Sequence, residues 1–229
     1  MTEALVIMAK EPRPGLVKTR LVPRLTQEQA SAFYAAMLED VLSQTTKEHT
    51  TRSTFVAFHP LTARPWFVAR TNPPLRSIPQ RGPDLGTRLA KVFDDIAMEG
   101  YTRMVVRNSD SPDLPVETLE AAFATLASSD VVLCPDSGGG YGVVGLNRPC
   151  PELFTSVEMS TESVLARTLE LTRRLGLRAS LLDPVPDIDT SEDLDRLVRT
   201  ITESDPRSRR RIPATVAMLE ELGLLDRIA

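Results

Sequence analysis

Five cationic side chains, Lys10, Arg13, Lys18, Arg20 and Arg24, follow directly on the apolar run Ala4-Leu5-Val6-Ile7-Met8, with Glu11 as the one acid among them. Positive charge is thus concentrated at one place in a chain whose net charge is -4. Pro12, Pro14 and Gly15 punctuate a turn that can aim the cations behind it. The chemistry suited to such a loop is capture of an anion, above all a phosphate, with Lys10, Arg13, Gly15, Lys18 and Arg20 as the candidate contacts. The plainer alternative is a surface loop of solvated cations. The Gly-Lys-Ser/Thr ending of a Walker loop is missing, as is Gly-x-Gly-x-x-Gly, so neither of those phosphate sites applies.

Carboxylates recur at two junctions. In Asn108-Ser109-Asp110-Ser111-Pro112-Asp113, Asp110 stands just past an apolar run. Mg2+ (or Mn2+) is a fitting ligand, since magnesium takes one or two carboxylates and completes its shell with waters and substrate phosphates. A capped Pro turn is the alternative for Asp110 and the favoured reading for Asp113. Pro186-Asp187-Ile188-Asp189-Thr190-Ser191-Glu192-Asp193 offers a second metal carboxylate from Asp189 or Asp187. There Thr190 and Asp193 read as a helix cap and a first-turn acid.

Two glycine-bearing segments complete the set. Gly138-Gly139-Gly140-Tyr141-Gly142 strips side chains from a bend, so Gly139, Gly140 and Tyr141 are candidates for an acceptor-binding wall. Arg81-Gly82-Pro83-Asp84-Leu85-Gly86-Thr87-Arg88 opens a helix whose N-terminus can bind an anion beside Gly86 and Arg88, with capping by Asp84 as the alternative. His49 and His59 lack a partner pattern and read as surface or turn residues; Trp66 reads as packing.

The elements that must position these residues alternate. Strands are expected at 4–8, 53–58, 75–79, 103–108, 130–134, 141–146 and 178–182. Helices are expected at 26–45, 62–70, 85–98, 116–127, 160–175, after the Thr190 cap, and from Pro213 through Leu225. Thr26-Gln27-Glu28-Gln29 has the spacing of a capping box. Such alternation predicts a three-layer, Rossmann-like α/β/α fold with a mainly parallel mixed sheet, whose ligands gather at the carboxyl ends of the strands.

Bulk properties narrow the function classes. At 229 residues and 41% apolar, the chain has the size of one domain spanning 1–229. Cys134 and Cys150 form no zinc or disulfide pattern, and neither a signal segment nor a membrane span is visible, which together predict a cytoplasmic protein. A pI near 5.4 speaks against nucleic acid as a partner. The cluster Arg207, Arg209, Arg210 and Arg211 could face an acidic partner or a second copy in a homodimer, but the preferred reading is a solvated connector.

Lys10-x-Pro12-x-Pro14-Gly15-x-Val17-Lys18-Thr19-Arg20-Leu21, Asp84-Leu85-Gly86-x-Arg88, Ser109-Asp110-Ser111-Pro112, Gly139-Gly140-Tyr141 and Asp187-Ile188-Asp189-Thr190 together resemble the bacterial rSAM/selenodomain-associated transferase 1 family, over about residues 4 to 197. The resemblance implies a glycosyltransferase-A, or nucleotide-diphospho-sugar transferase, fold that uses a divalent metal with a nucleotide. It carries Lys18, Arg20, Asp110 and Asp189 as site residues, and Arg88 and Tyr141 behind them. The Lys18-Thr19-Arg20-Leu21 loop and the segment 187–194 are also similar to 2-phospho-lactate guanylyltransferases. One departure bears on the acceptor: Ser137-Gly138-Gly139-Gly140-Tyr141 stands where the family usually has Asp-Gly-Gly-Tyr.

Three functions are then in play. In a nucleotidyltransferase, Lys10, Lys18 and Arg20 bind the triphosphate of an NTP, Asp110 and Asp189 hold the metal, and a small phosphorylated acceptor displaces pyrophosphate. In a glycosyltransferase the donor is a nucleotide-sugar and a nucleoside diphosphate leaves. A non-catalytic nucleotide sensor is the third and least favoured.

Overall fold

The run Ala4-Leu5-Val6-Ile7 is fully buried, without the polar alternation of a half-exposed strand, because β1 (Glu3–Lys10) is covered on both faces. This computed structural model describes residues 2–48, 52–71, 75–203 and 206–226; His49 and the side chain of Arg207 lie outside the described residues. β1 pairs in parallel with β2 (Ser53–His59) and with β4 (Arg103–Arg107). β3 (Arg76–Pro79) adds in parallel outside β2. β6 (Tyr141–Leu146) runs antiparallel between β4 and β5 (Val131–Pro135), and β7 (Ala179–Leu181) lies parallel to β5. The sheet order is β3-β2-β1-β4-β6-β5-β7, the mainly parallel mixed sheet that the alternation predicts.

Successive β1 residues divide between two helical layers. Ala4 and Val6 pack with α3 (Leu85–Met98) and α5 (Glu152–Thr155), where Phe93 and Phe154 stack at 5.3 Å. The partly buried Leu165 and Leu169 of α6 (Val164–Arg174) lie against the same cluster. On the opposite face, Ile7 packs with α1 (Gln27–Glu48) and α2 (Arg64–Val68), and Leu5 with α4 (Val116–Thr125). α1 is buried on two sides. Its Tyr34, Leu38, Val41 and Leu42 face the sheet, while Ala30, Phe33 and Met37 meet Leu194 and Leu197 of α7 (Ser191–Glu203) and Leu219 of α9 (Pro213–Glu221). Burying a side chain such as Phe33 or Leu219 stabilises by about 1.5–3 kcal/mol, so α7 and α9 are held as an outer layer by α1.

The expected caps form. Thr26 N donates to Gln29 Oε1 and Gln29 N to Thr26 Oγ1, at 2.9 and 3.2 Å, closing the capping box before α1. Asp84 accepts from Thr87 N at 2.7 Å ahead of α3. Thr190 N donates to Asp193 Oδ2 at 2.8 Å while Asp193 N donates to Thr190 Oγ1 at 3.3 Å, starting α7.

The helix expected over 62–70 divides into a 3-10 turn, Leu61–Ala63, and α2, which Pro65 opens because it needs no intrahelical amide partner there. The helix expected from 160 begins at Val164, since Ser160 takes a left-handed φ of 66°. α5 and α8 (Pro206–Arg211) were not anticipated, being too short or too uniformly polar to show helical periodicity. The arginine cluster is not a free connector: Arg209 pairs with Glu220 at 2.7 Å and Arg211 with Asp113 at 2.9 Å, leaving Arg210 exposed. Asp113 is therefore a tie to α8, not a cap. Both cysteines are free, and among the described residues no helix is long and apolar enough to cross a membrane.

Candidate active site

The site begins where β1 ends. Past Lys10 the chain turns through Gly15, at φ 75°, and Lys18 takes a left-handed conformation (φ 48°, ψ 36°) just before the 3-10 turn Thr19–Leu21. That conformation is uncommon for a side-chain-bearing residue and costs about 1 kcal/mol or more. It coincides with an inward-facing side chain: Lys18 is 3% exposed, whereas Lys10 and Arg20 are exposed. The Lys18 ammonium donates to Asp110 Oδ1 and, at 2.8 Å, to Asp189 Oδ1. Burial by itself pulls this ammonium toward the neutral form, but the charges of Asp110 and then Asp189 outweigh it, and Lys18 is held protonated above the ordinary lysine range.

Two loops distant in sequence bring those carboxylates together. Arg107, the last residue of β4 and 1% exposed, donates from Nε to the Asn108 carbonyl at 3.1 Å and from Nη2 to the Ser111 carbonyl at 2.6 Å. A buried guanidinium thus clamps the turn that carries Asp110. Beneath it, Ser109 Oγ and Tyr34 Oη lie 2.7 Å apart, and Tyr34 Oη accepts from Lys10 N at 3.0 Å, joining β4, α1 and β1. Burial first, and Asp110 second, push the Tyr34 phenol up to about 12, so it stays neutral. Ile188 N donates to the Asp110 carbonyl at 3.0 Å, which docks the 187–190 segment beside the β4 loop and places Asp189 opposite Lys18.

Lys18, Asp110 and Asp189 stand at a cleft of about 940 Å³ that opens along the carboxyl edge of the parallel strands. Lys10, Arg20 and Arg88 line it with positive charge. Asp136, Glu162, Asp187 and Glu192 line it with negative charge. Asp136 Oδ1 accepts from both Gly138 N and Gly140 N at 2.8 Å and so orders the glycine bend. Asp187 accepts from Ser137 Oγ at 2.7 Å rather than pairing with Lys18. Burial, with Asp189 and Asp136 adding to it against the Ser137 bond, raises its carboxyl above the usual range. Tyr141, which also lines the cleft, has its phenol pushed up to about 12 by burial.

Of the residues singled out in the sequence, Lys10, Lys18, Arg20, Arg88, Asp110, Gly140, Tyr141, Asp187 and Asp189 line this cleft. Four others do not. Arg13 turns to Glu11, at 2.6 Å, and Gly15 shapes the turn beneath it. Gly86 is buried where a Cβ would come within 2.2 Å of the Phe154 carbonyl, so it serves the packing of α3 on α5. Gly139, at φ 83°, meets the Glu162 carbonyl in the same way, at 2.1 Å; this bend is stripped of side chains for its own packing. His59 is the last residue of β2, in register with Lys10, rather than a turn residue, and burial followed by Arg88 and Lys10 depresses its imidazole. Arg107, Tyr34 and Asp136 were missed as positioning residues. Arg107 had one visible signal, a charge set directly on the apolar run Met104-Val105-Val106.

The fold matches solved structures along nearly their whole length. A candidate nucleotide-diphospho-sugar transferase from Desulfovibrio desulfuricans G20 superposes with a TM-score of 0.84 at 28% identity, covering 96% of this chain and 98% of that one. A cytidylyltransferase from Leptospira borgpetersenii serovar Hardjo-bovis superposes at 0.59 with 12% identity, covering 100% and 98%. CMP:2-keto-3-deoxy-manno-octonic acid synthetase, in complex with CTP, does so at 0.56 with 13% identity, covering 88% and 98%. The α/β fold is thus that of nucleotide-diphospho-sugar transferases and cytidylyltransferases, and the structural relatives are transferases. No curated protein matches the sequence significantly. The family model described as an uncharacterized protein conserved in bacteria (DUF2064) matches residues 41–161, which include the Asp110 loop, the glycine bend and β5 between them, and the chain belongs to that family.

Proposed function

We propose that this chain is a divalent-metal-dependent nucleotidyltransferase, acting as one domain, that joins the nucleoside monophosphate of an NTP to a small phosphorylated acceptor. The observation that carries the reading is the convergence of Lys18, Asp110 and Asp189 at the head of a cleft rimmed by Lys10, Arg20 and Arg88. The donor set fits Mg2+ or Mn2+. Asp110 and Asp189 are hard oxygen donors, 36% and 41% exposed, aimed at one point of positive charge. Among the described residues no cluster of three or more metal-ligating side chains exists, which suits an ion that draws its remaining ligands from water and phosphates. When bound there, such an ion would neutralise and orient the phosphates.

The protein's own contribution is positioning and charge. Lys10, Lys18, Arg20 and Arg88 bind the triphosphate; Gly140 and Tyr141 border the acceptor. An acceptor phosphate oxygen forms a bond to the α-phosphorus, the bond from that phosphorus to the β-bridging oxygen breaks, and pyrophosphate leaves with its electron pair. An acceptor that is already an anion needs no general base, in keeping with a cleft that His59 does not line. The resemblance to 2-phospho-lactate guanylyltransferases and the cytidylyltransferase fold support this reaction. The likeness to the rSAM/selenodomain-associated transferase 1 pattern, and the 28% identity to a candidate nucleotide-diphospho-sugar transferase, favour a second reading in which a nucleotide-sugar is the donor. Product analysis separates them: pyrophosphate released from an NTP supports nucleotidyl transfer, and nucleoside diphosphate released from a nucleotide-sugar replaces it with glycosyl transfer.

A further inference from the structure

We propose that Lys18 is a built-in rival of the divalent cation: its ammonium occupies the position between Asp110 and Asp189, and a cation binds the two carboxylates only by displacing it. This rests on the metal-binding reading above, and deepens it. Both ion pairs run to the same Nζ, which donates to Asp110 Oδ1 and to Asp189 Oδ1. The three groups sum to one negative charge instead of two, so the field offered to an arriving cation is roughly halved. A divalent ion seated between the same oxygens meets a +1 charge at contact distance, and the two cannot share that point.

The ammonium is well placed for this part. It reaches the carboxylates from the protein side, with only 3% of its side chain exposed, and lies 5.8 Å from the centre of the Tyr34 ring. The carboxylates, 36% and 41% exposed, face the solvent from which the ion comes. Once displaced, Lys18 loses both of its carboxylate partners and needs another anion. The phosphates of a nucleotide in the adjoining cleft supply it, beside Lys10 and Arg20. The consequence is coupling: a bare cation binds weakly, and a cation arriving with a polyphosphate binds well, because the polyphosphate takes over the lysine.

The test is calorimetric titration of MnCl2, without nucleotide, into the wild type, Lys18→Met and Asp189→Asn. Removing the rival should tighten Mn2+ binding by about 10-fold or more in Lys18→Met, and Asp189→Asn should lose it. Equal or weaker binding by Lys18→Met, with binding lost in Asp189→Asn, overturns the rivalry and leaves the carboxylate site standing. Binding by neither the wild type nor Lys18→Met overturns both. Should Lys18→Met fail to fold, acylation of Lys18 in the wild type, followed by peptide mass mapping, replaces it. Excess MnCl2 should accelerate that acylation several-fold, because a side chain released from both carboxylates can shed its proton and react as the amine, and an unchanged or slower rate overturns the proposal.

Discussion

At the scale of residues, Asp110 and Asp189 do two things at once: they hold Lys18 charged and they offer oxygens to the cleft. Replacing Asp110 with Asn keeps the shape and the Ile188 bond to its backbone carbonyl while removing the charge. Turnover should fall by about 10²-fold or more with the circular dichroism spectrum unchanged, and full activity would remove Asp110 from the mechanism. Asp187 behaves differently, because burial raises its carboxyl in the folded protein. A carboxyl raised on folding favours the folded state most below its unfolded value, and that advantage is lost as pH rises through the folded value. Asp187→Asn, which keeps an acceptor for Ser137, should therefore raise the melting temperature at pH 7. The gain should shrink as pH drops into the carboxylate range; thermal melts at both pH values check it.

At the scale of elements, helix starts fix where the cleft residues stand. Asp84 caps α3 and so sets the direction of Arg88 one turn in. Asp84→Ala should cost about 1 kcal/mol in denaturant unfolding. Gly86→Ala should cost about 2 kcal/mol, because its new methyl meets the backbone carbonyl of Phe154 rather than a side chain that can yield. A loss in Gly86→Ala no larger than an ordinary surface change would mean that α5 can withdraw from α3. These starts were legible in sequence because capping is local: Asp84 reaches Thr87, Thr26 reaches Gln29, and Thr190 reaches Asp193, each three residues on. The two-sided burial of α1 was not, since its apolar residues simply form one list until α7 and α9 arrive on one side and β1 and β2 on the other.

At the scale of the whole molecule, the six parallel strands among the described residues deliver their following loops to one edge, and antiparallel β6 brings its first residue, Tyr141, to the same edge. Hence residues as far apart as 18, 110, 141 and 189 border one cleft. Binding should follow from that arrangement as a whole. Calorimetry with a panel of nucleoside triphosphates and nucleotide-sugars should show a triphosphate binding in preference to the diphosphate sugar, and more tightly with magnesium present. The reverse preference would move the assignment to glycosyl transfer.

What depends on neighbours along the chain can be read from the residues alone: the strand and helix alternation, the caps, the turn at Gly15, and the clustering of cations after β1 and carboxylates after β4 and β7. Lys18, Asp110 and Asp189 stand out there separately. It takes the folded chain to make these three meet, to set Asp189 rather than Asp187 against Lys18, and to turn Arg13, Gly86 and Gly139 to the protein's own interior or surface. Apart from Arg13, whose partner Glu11 is two residues back, each of those outcomes hangs on a long-range contact. The Ile188 bond to Asp110, the Arg107 clamp, and the Phe154 and Glu162 carbonyls pressed against glycine exist only once distant strands lie side by side, and no local spacing announces them.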